Sequence, residues 1–141
     1  MAGVFLKYEV QGLKRLQEYA KKLSQFGPEK KKELNAEISS FLVRQTQDRF
    51  ESKLTPTGRA WTSSLYRSGD LFGSIADSYN EHEAIAGTNI EYAAIHQFGG
   101  EAGRNKSVKI AANPFFGLST EDEEEIVNVV HDFLEREVLD A

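Results

Sequence analysis

The chain has 141 residues, no cysteine, 40% hydrophobic and 28% charged residues, and a formal net charge of −5. That length suits a single domain, residues 1–141, able to bury roughly two thirds of its unfolded surface, and the lack of cysteine excludes disulfides and thiolate metal sites. No apolar run approaches the ~20 residues of a membrane span, and MAGVFLKYEV lacks a basic region ahead of a long apolar run, so no membrane association and no secretory signal are expected.

Val4–Val10 alternates apolar and polar residues, which predicts a short half-buried strand. Leu13, Leu16, Ala20, Leu23 and Phe26 recur at helical spacing and predict a helix over about 11–25, ended by Gly27-Pro28. Pro28 can open the next helix at its first turn. Leu34, Ile38, Phe41, Leu42 and Phe50 give that helix an apolar stripe over about 28–53 and make it the central packing element. Pro56, Gly58, Gly69 and the intervening serines read as a loop over 54–70, with a helical turn at Leu71–Ser74. Ile75–Tyr79 and Glu83–Gly87 read as two strands around a turn at Asn80–His82. Tyr92, Ala93, Ile95 and Phe98 allow a short helix ended by Gly99-Gly100, followed by a loop or hairpin tip at 101–107. Val108–Ala111 and Phe115–Leu118 read as strands separated by Pro114. Ser119 or Thr120 can cap a last helix whose stripe is Ile126, Val129, Val130, Phe133, Leu134 and Val138. Helices and strands are segregated rather than alternating. The expected fold is α+β, an antiparallel sheet packed against the long central helix and the C-terminal helix.

Charge is unevenly distributed. Residues 119–141 hold nine acids and one base, which leaves 13 acids and 16 bases, a net of +3, for the rest. Such asymmetry either marks a solvated helix face or steers self-association and docking. Arg104, Lys106 and Lys109 form a small basic cluster, readable as loop solubility or as contact with nucleic-acid phosphates.

Chemistry-bearing motifs are sparse. His82, His96 and His131 belong to no HExxH or other metal-ligand spacing, and no metal is expected. Neither GxxxxGK[ST] nor a GxGxxG after a strand occurs, so no cofactor is expected. Ser68, Asp70 and His96 could form a nucleophile–base set, but GxSxG is absent, and Asp70 is more simply a turn or cap residue. His96 reads as a hydrogen-bonding residue that fixes the turn at Gln97–Gly100. Trp61 is either a loop anchor on the core or an interface hot spot. Tyr92, Phe98, Phe115 and Phe116 raise the same alternatives. In a strand Phe115 and Phe116 would face opposite sides, one toward the core and one toward a partner.

Pro56, Gly58 and Trp61 are followed by Ser68-Gly69-Asp70-Leu71 and Ser74-Ile75. Gly87-Thr88 then precedes Tyr92-Ala93, Ile95-His96-Gln97-Phe98-Gly99-Gly100, and Pro114-Phe115 leads to Gly117-Leu118-Ser119. In order and spacing this resembles the virion morphogenesis (tail completion) family of Mu-like and P2-like phages and prophages, from about 28 to 139. It departs where Ala111-Ala112-Asn113 stands in place of that family's Pro–Ala–Arg. The resemblance implies a structural protein rather than an enzyme. It implies action at the tail end that meets the head, in the virion and during assembly in the bacterial host cytoplasm. Such proteins work as rings, often sixfold, which need two different complementary patches per subunit. The partners implied are further copies of the chain and other tail and neck proteins. Residues expected at contacts are Trp61, Tyr92, His96, Gln97, Phe98, Arg104, Lys106, Phe116, Glu123, Glu124 and Glu125. The loops at 54–68 and 99–107 are expected to settle on assembly. Alternatives are a DNA-contacting neck protein, a domesticated prophage protein of a particle without a DNA-filled head, and a small hydrolase.

Overall fold

The computed structural model describes residues 4–8, 17–62, 69–90, 92–102, 105 and 108–139, with the side chains of 4–8, 17, 18, 20, 102, 138 and 139 left out of the description. The elements are β1 (Val4–Tyr8), α1 (Gln17–Leu23), α2 (Pro28–Ser52), α3 (Asp70–Ser74), β2 (Ala76–Tyr79), β3 (Ala84–Thr88), α4 (Ala93–Phe98), β4 (Gly100–Ala102), β5 (Val108–Ile110) and α5 (Thr120–Leu139). The fold is α+β, as the segregated pattern predicts.

Helix α2 organises the molecule. It starts where expected, with Gly27 at the N-cap and Pro28 in the first turn. It ends when Lys53 turns left-handed, at φ 58°, and donates its N–H to the Arg49 carbonyl at 2.7 Å. Leu34, Ile38, Phe41, Leu42 and Phe50 are all buried. The helix packs against β2 and β3 on one side and against α5 on another. Two covered sides explain why polar residues are buried with the stripe: Asn35, Ser39, Gln45, Thr46 and Arg49. Thr46 Oγ1 donates to the Leu42 carbonyl at 2.7 Å, which spares that hydroxyl an unmet burial.

The three-stranded sheet is antiparallel with β3 in the centre, in the order β1-β3-β2. Val4 pairs with Thr88 and Tyr8 with Ala84, while Ala76 pairs with Gly87 and Tyr79 with Ala84. The β2–β3 turn falls at the predicted place, with each strand starting one residue later than the pattern suggests. Asn80 closes it, its Oδ1 accepting the N–H groups of His82 (2.7 Å) and Glu83 (3.0 Å). Ala84, Ala86 and Thr88 are buried and share one face, where Asp77 on β2 accepts from Ser39 of α2 at 3.0 Å.

Helix α5 runs antiparallel to α2. Lys30 near the start of α2 bonds Glu137 at 3.2 Å, Glu37 pairs with Arg136 at 3.1 Å, and Arg49 near the other end pairs with Asp122 at 2.6 Å. Ile126, Val130, Phe133 and Leu134 are buried. Phe26, just after α1, meets Phe133 edge-on at 5.8 Å.

Two expectations change. Gly100–Ala102, read as a helix stop followed by a loop or hairpin tip, is a strand, pairing antiparallel with β5 from Gly100↔Ile110 to Ala102↔Val108. Phe115–Leu118, read as a strand, is irregular chain with a bend at Phe116. Its backbone groups are taken by side chains instead of a neighbouring strand. The start of the first predicted helix, residues 63–68 of the 54–70 loop, Arg104 and Lys106 lie outside the described residues.

Candidate functional site

The segment from Asn113 to Ser119 is held by side chains arriving from three directions. Gln97, next to last in α4, accepts the N–H groups of Phe115 and Phe116 on Oε1, both at 3.0 Å, and donates Nε2 to the Phe116 carbonyl at 2.9 Å. A primary amide fits because it offers both donor and acceptor, and so pairs with backbone as a strand would. From α2, Arg49 Nη1 donates to the carbonyls of Phe115 and Gly117, both at 3.0 Å. Gln45 Nε2, one turn earlier, also reaches Gly117 at 2.9 Å. From the 54–62 loop, Trp61 Nε1 donates to the Pro114 carbonyl at 3.0 Å.

Asp122 completes the clamp. Its Oδ2 accepts from Arg49 Nη2 and Gln45 Nε2, each at 2.6 Å, and from the Ser119 N–H at 2.9 Å. The Asp122 N–H returns to Ser119 Oγ at 3.1 Å. This is a reciprocal capping box, so Ser119 rather than Thr120 caps α5. Burial pushes the Arg49 pKa below its usual value, opposed by the charge and hydrogen bonds of Asp122. The guanidinium stays charged, because even a lowered arginine pKa lies far above neutrality.

Under the clamp lies an aromatic cluster. Phe50, 1% exposed, meets Trp61 edge-on at 5.4 Å, Phe72 at 5.8 Å and Phe115 at 5.6 Å. Phe115 and Phe116 are both buried, contrary to the alternation expected of a strand. Asn113, also buried, accepts from the Thr62 N–H at 2.8 Å on Oδ1 and donates its own N–H to the His96 carbonyl at 2.7 Å. Gly117 permits close packing. At φ 154° a Cβ there would stand 2.5 Å from Pro56 Cγ.

The sequence candidates therefore fall into groups. Trp61, Gln97 and Phe116 belong to the buried clamp. His96 is half-buried, and what ties it is its main-chain carbonyl. Its ring meets Tyr92 edge-on at 5.6 Å and makes no hydrogen bond among the described residues. Tyr92 and Phe98 are exposed, Phe98 by 71%. Glu124 and Glu125 are exposed on the first turns of α5, with Glu123 partly covered. Arg104, Lys106 and Ser68 lie outside the described residues. Sequence reasoning missed Gln45, Arg49, Asn113 and Asp122. Two signals pointed to Gln45, Arg49 and Asp122: polar residues one turn apart inside an apolar stripe, and the Ser-x-x-Asp spacing before a helix.

The clamp consumes its polar groups on the chain's own backbone, as a fold-holding device does. Among the described residues, no group of three or more His, Asp or Glu is placed to hold a metal ion, and no helix is long and apolar enough to cross a membrane. Fold and motif together define a structural protein of virion morphogenesis. The chain belongs to the phage virion morphogenesis family, whose sequence model matches residues 11–135. It is similar to "Mu-like prophage FluMu G protein 2" of Haemophilus influenzae, 45% identical over 83 residues that cover 54% of this chain and 60% of that protein. It is also similar to "Putative capsid assembly protein G" of Escherichia phage Mu, 29% identical over 113 residues, covering 66% of this chain and 72% of that protein. The chain thus spans about 60% of the length of the first relative. No solved structure matches the chain.

Proposed function

We propose that this protein completes the phage tail and helps join it to the head, working as a ring of identical subunits docked on other tail and neck proteins. The observation that carries the reading is the fate of the family motif. Trp61, Gln97, Pro114, Phe115, Gly117 and Ser119 converge on one internal clamp. Of those six only Ser119 has a nucleophile's side chain, and although it lines a surface groove its Oγ is occupied by the Asp122 N–H. A rigid body that presents loops and helix ends to neighbours suits an assembly part. Family membership supports the same class of role, and the phage Mu relative is itself named a putative capsid assembly protein.

The charge asymmetry suits a heterologous contact, with the acidic start of α5 meeting a more basic surface on the neighbour. The test is electron microscopy of particles from an induced prophage lacking the gene, with complementation. Full heads beside separate or over-long tails are expected. Normal joined particles would refute a role in joining, and absent or malformed heads would move the role to the capsid. Contact with DNA is a second reading, favoured by three bases within 104–109. It requires DNA binding that weakens steeply with salt.

A further inference from the structure

Phe98 is 71% exposed, in a run where the fold accounts for its neighbours. Ala93 is fully buried, Gln97 clamps the 115–116 backbone, and a Cβ at Gly99 would press on Ala112 N at 2.9 Å. Helix α4 would form as well with a polar residue at 98, so the ring is not there for this chain's own packing. The β4–β5 ladder starts two residues later and places Val108, 52% exposed, and Lys109, also exposed, on the same hairpin.

Elsewhere on the surface lies a groove of about 630 Å³ between the 54–58 loop and the start of α5. Leu54, 41% exposed, lines it together with Pro56 and Leu118. Glu121 stands at its rim, and the exposed Glu125 follows one turn along α5.

We infer that the occupant of this groove is Phe98 of a second copy of the chain, with the base of its β4–β5 hairpin lying over the rim. Charge selects this occupant. In sequence, residues 99–113 carry three bases against one acid, whereas residues 119–125 carry no base and, besides the internally paired Asp122, four acids. Leu54, Pro56 and Leu118 offer apolar contact within an otherwise polar groove, and opposite charges lie beside it, a combination that a specific contact can use. Knob and groove are different patches, so the contact is heterologous and repeats from subunit to subunit until a ring closes. It rests on the self-assembling ring proposed above and names the surfaces that make it.

The test is sedimentation of the purified full chain over a concentration series, with Phe98→Asp and Leu54→Asp. Both sites are exposed, and thermal melts check that each variant folds. If Leu54→Asp melts lower, Thr120→Trp replaces it and fills the groove from an exposed position. Wild type is expected to self-associate, and each variant to do so at least about 30-fold more weakly. Mixing the two variants leaves one intact knob and one intact groove, so a 1:1 complex forms and grows no further. Self-association at wild-type strength in both variants would overturn this contact and leave the ring standing. A wild type that stays monomeric throughout would overturn both.

Discussion

At the scale of single residues, the clamp concentrates stability in a few polar side chains. Gln97→Ala leaves two N–H groups and a carbonyl of the partly buried Phe115–Phe116 backbone without partners, and is expected to cost about 1–3 kcal/mol in urea unfolding. Asp122→Ala leaves Arg49 buried without its counter-charge, and a loss of about 3–5 kcal/mol is expected from the same measurement. A loss below about 1 kcal/mol would mean that the pair is solvated in solution. Asn113 serves the clamp through its acceptor oxygen. Its Oδ1 accepts from Thr62, a bond that a donor-only side chain such as arginine could not make. Burial lowers the pKa of His96. The folded state therefore takes up that proton less readily than the unfolded state does. Stability is unaffected well above the unfolded value of about 6.5 and falls as pH drops through it. The urea midpoint is expected to decline on acidification below about pH 6.5, less so in His96→Gln. Equal declines in both chains would assign the effect to other groups.

At the scale of elements, helix ends and strand neighbours decide what forms. Ser119 caps α5 through a reciprocal bond with Asp122, so Ser119→Ala is expected to cost about 1 kcal/mol and to fray the first turn in hydrogen exchange. The apolar stripes of α2 and α5 were legible because their large apolar residues recur at helical spacing, even though α2 is covered on two sides. So were the β2–β3 hairpin, with its Asn80 turn, and the breaks at Gly27-Pro28 and Gly99. Phe115–Leu118 misled because its composition suits a strand. Whether an extended segment becomes a strand depends on what lies beside it. Here the neighbours are Gln97, Arg49 and Gln45, and they satisfy the backbone without a ladder. Gly100–Ala102 was missed for the opposite reason. Three residues, Gly-Glu-Ala, are too few to show alternation, and only the partner Val108–Ile110 makes them a strand.

At the scale of the whole molecule, charge is arranged along the chain and then redistributed by packing. The acids at the start of α5 are partly used inside, through Asp122, and partly presented outside, through Glu121 and Glu125. Reversing Glu123, Glu124 and Glu125 to lysine opposes the helix dipole, at roughly 0.3–1 kcal/mol per residue. The fold should persist, while prophage particles carrying the variant lose head–tail joining in micrographs. Wild-type numbers of joined particles would remove this helix from the contact.

The sequence by itself determined the class of fold, the two long helices, the hairpin and the family. Each depends on local periodicity, on turn chemistry or on an ordered run of residue types, and these are properties of neighbours along the chain. Only the tertiary structure decided what the motif residues do. Trp61, Gln97, Arg49 and Asp122 come from four separate stretches, and their shared purpose appears once α2, α4, α5 and the 54–62 loop meet at Phe50 and Phe115. The same motif run sends Gln97 inward and leaves Phe98 outward. Which side of a six-residue helix faces the core is set by packing against the rest of the chain, since so short a helix completes fewer than two turns.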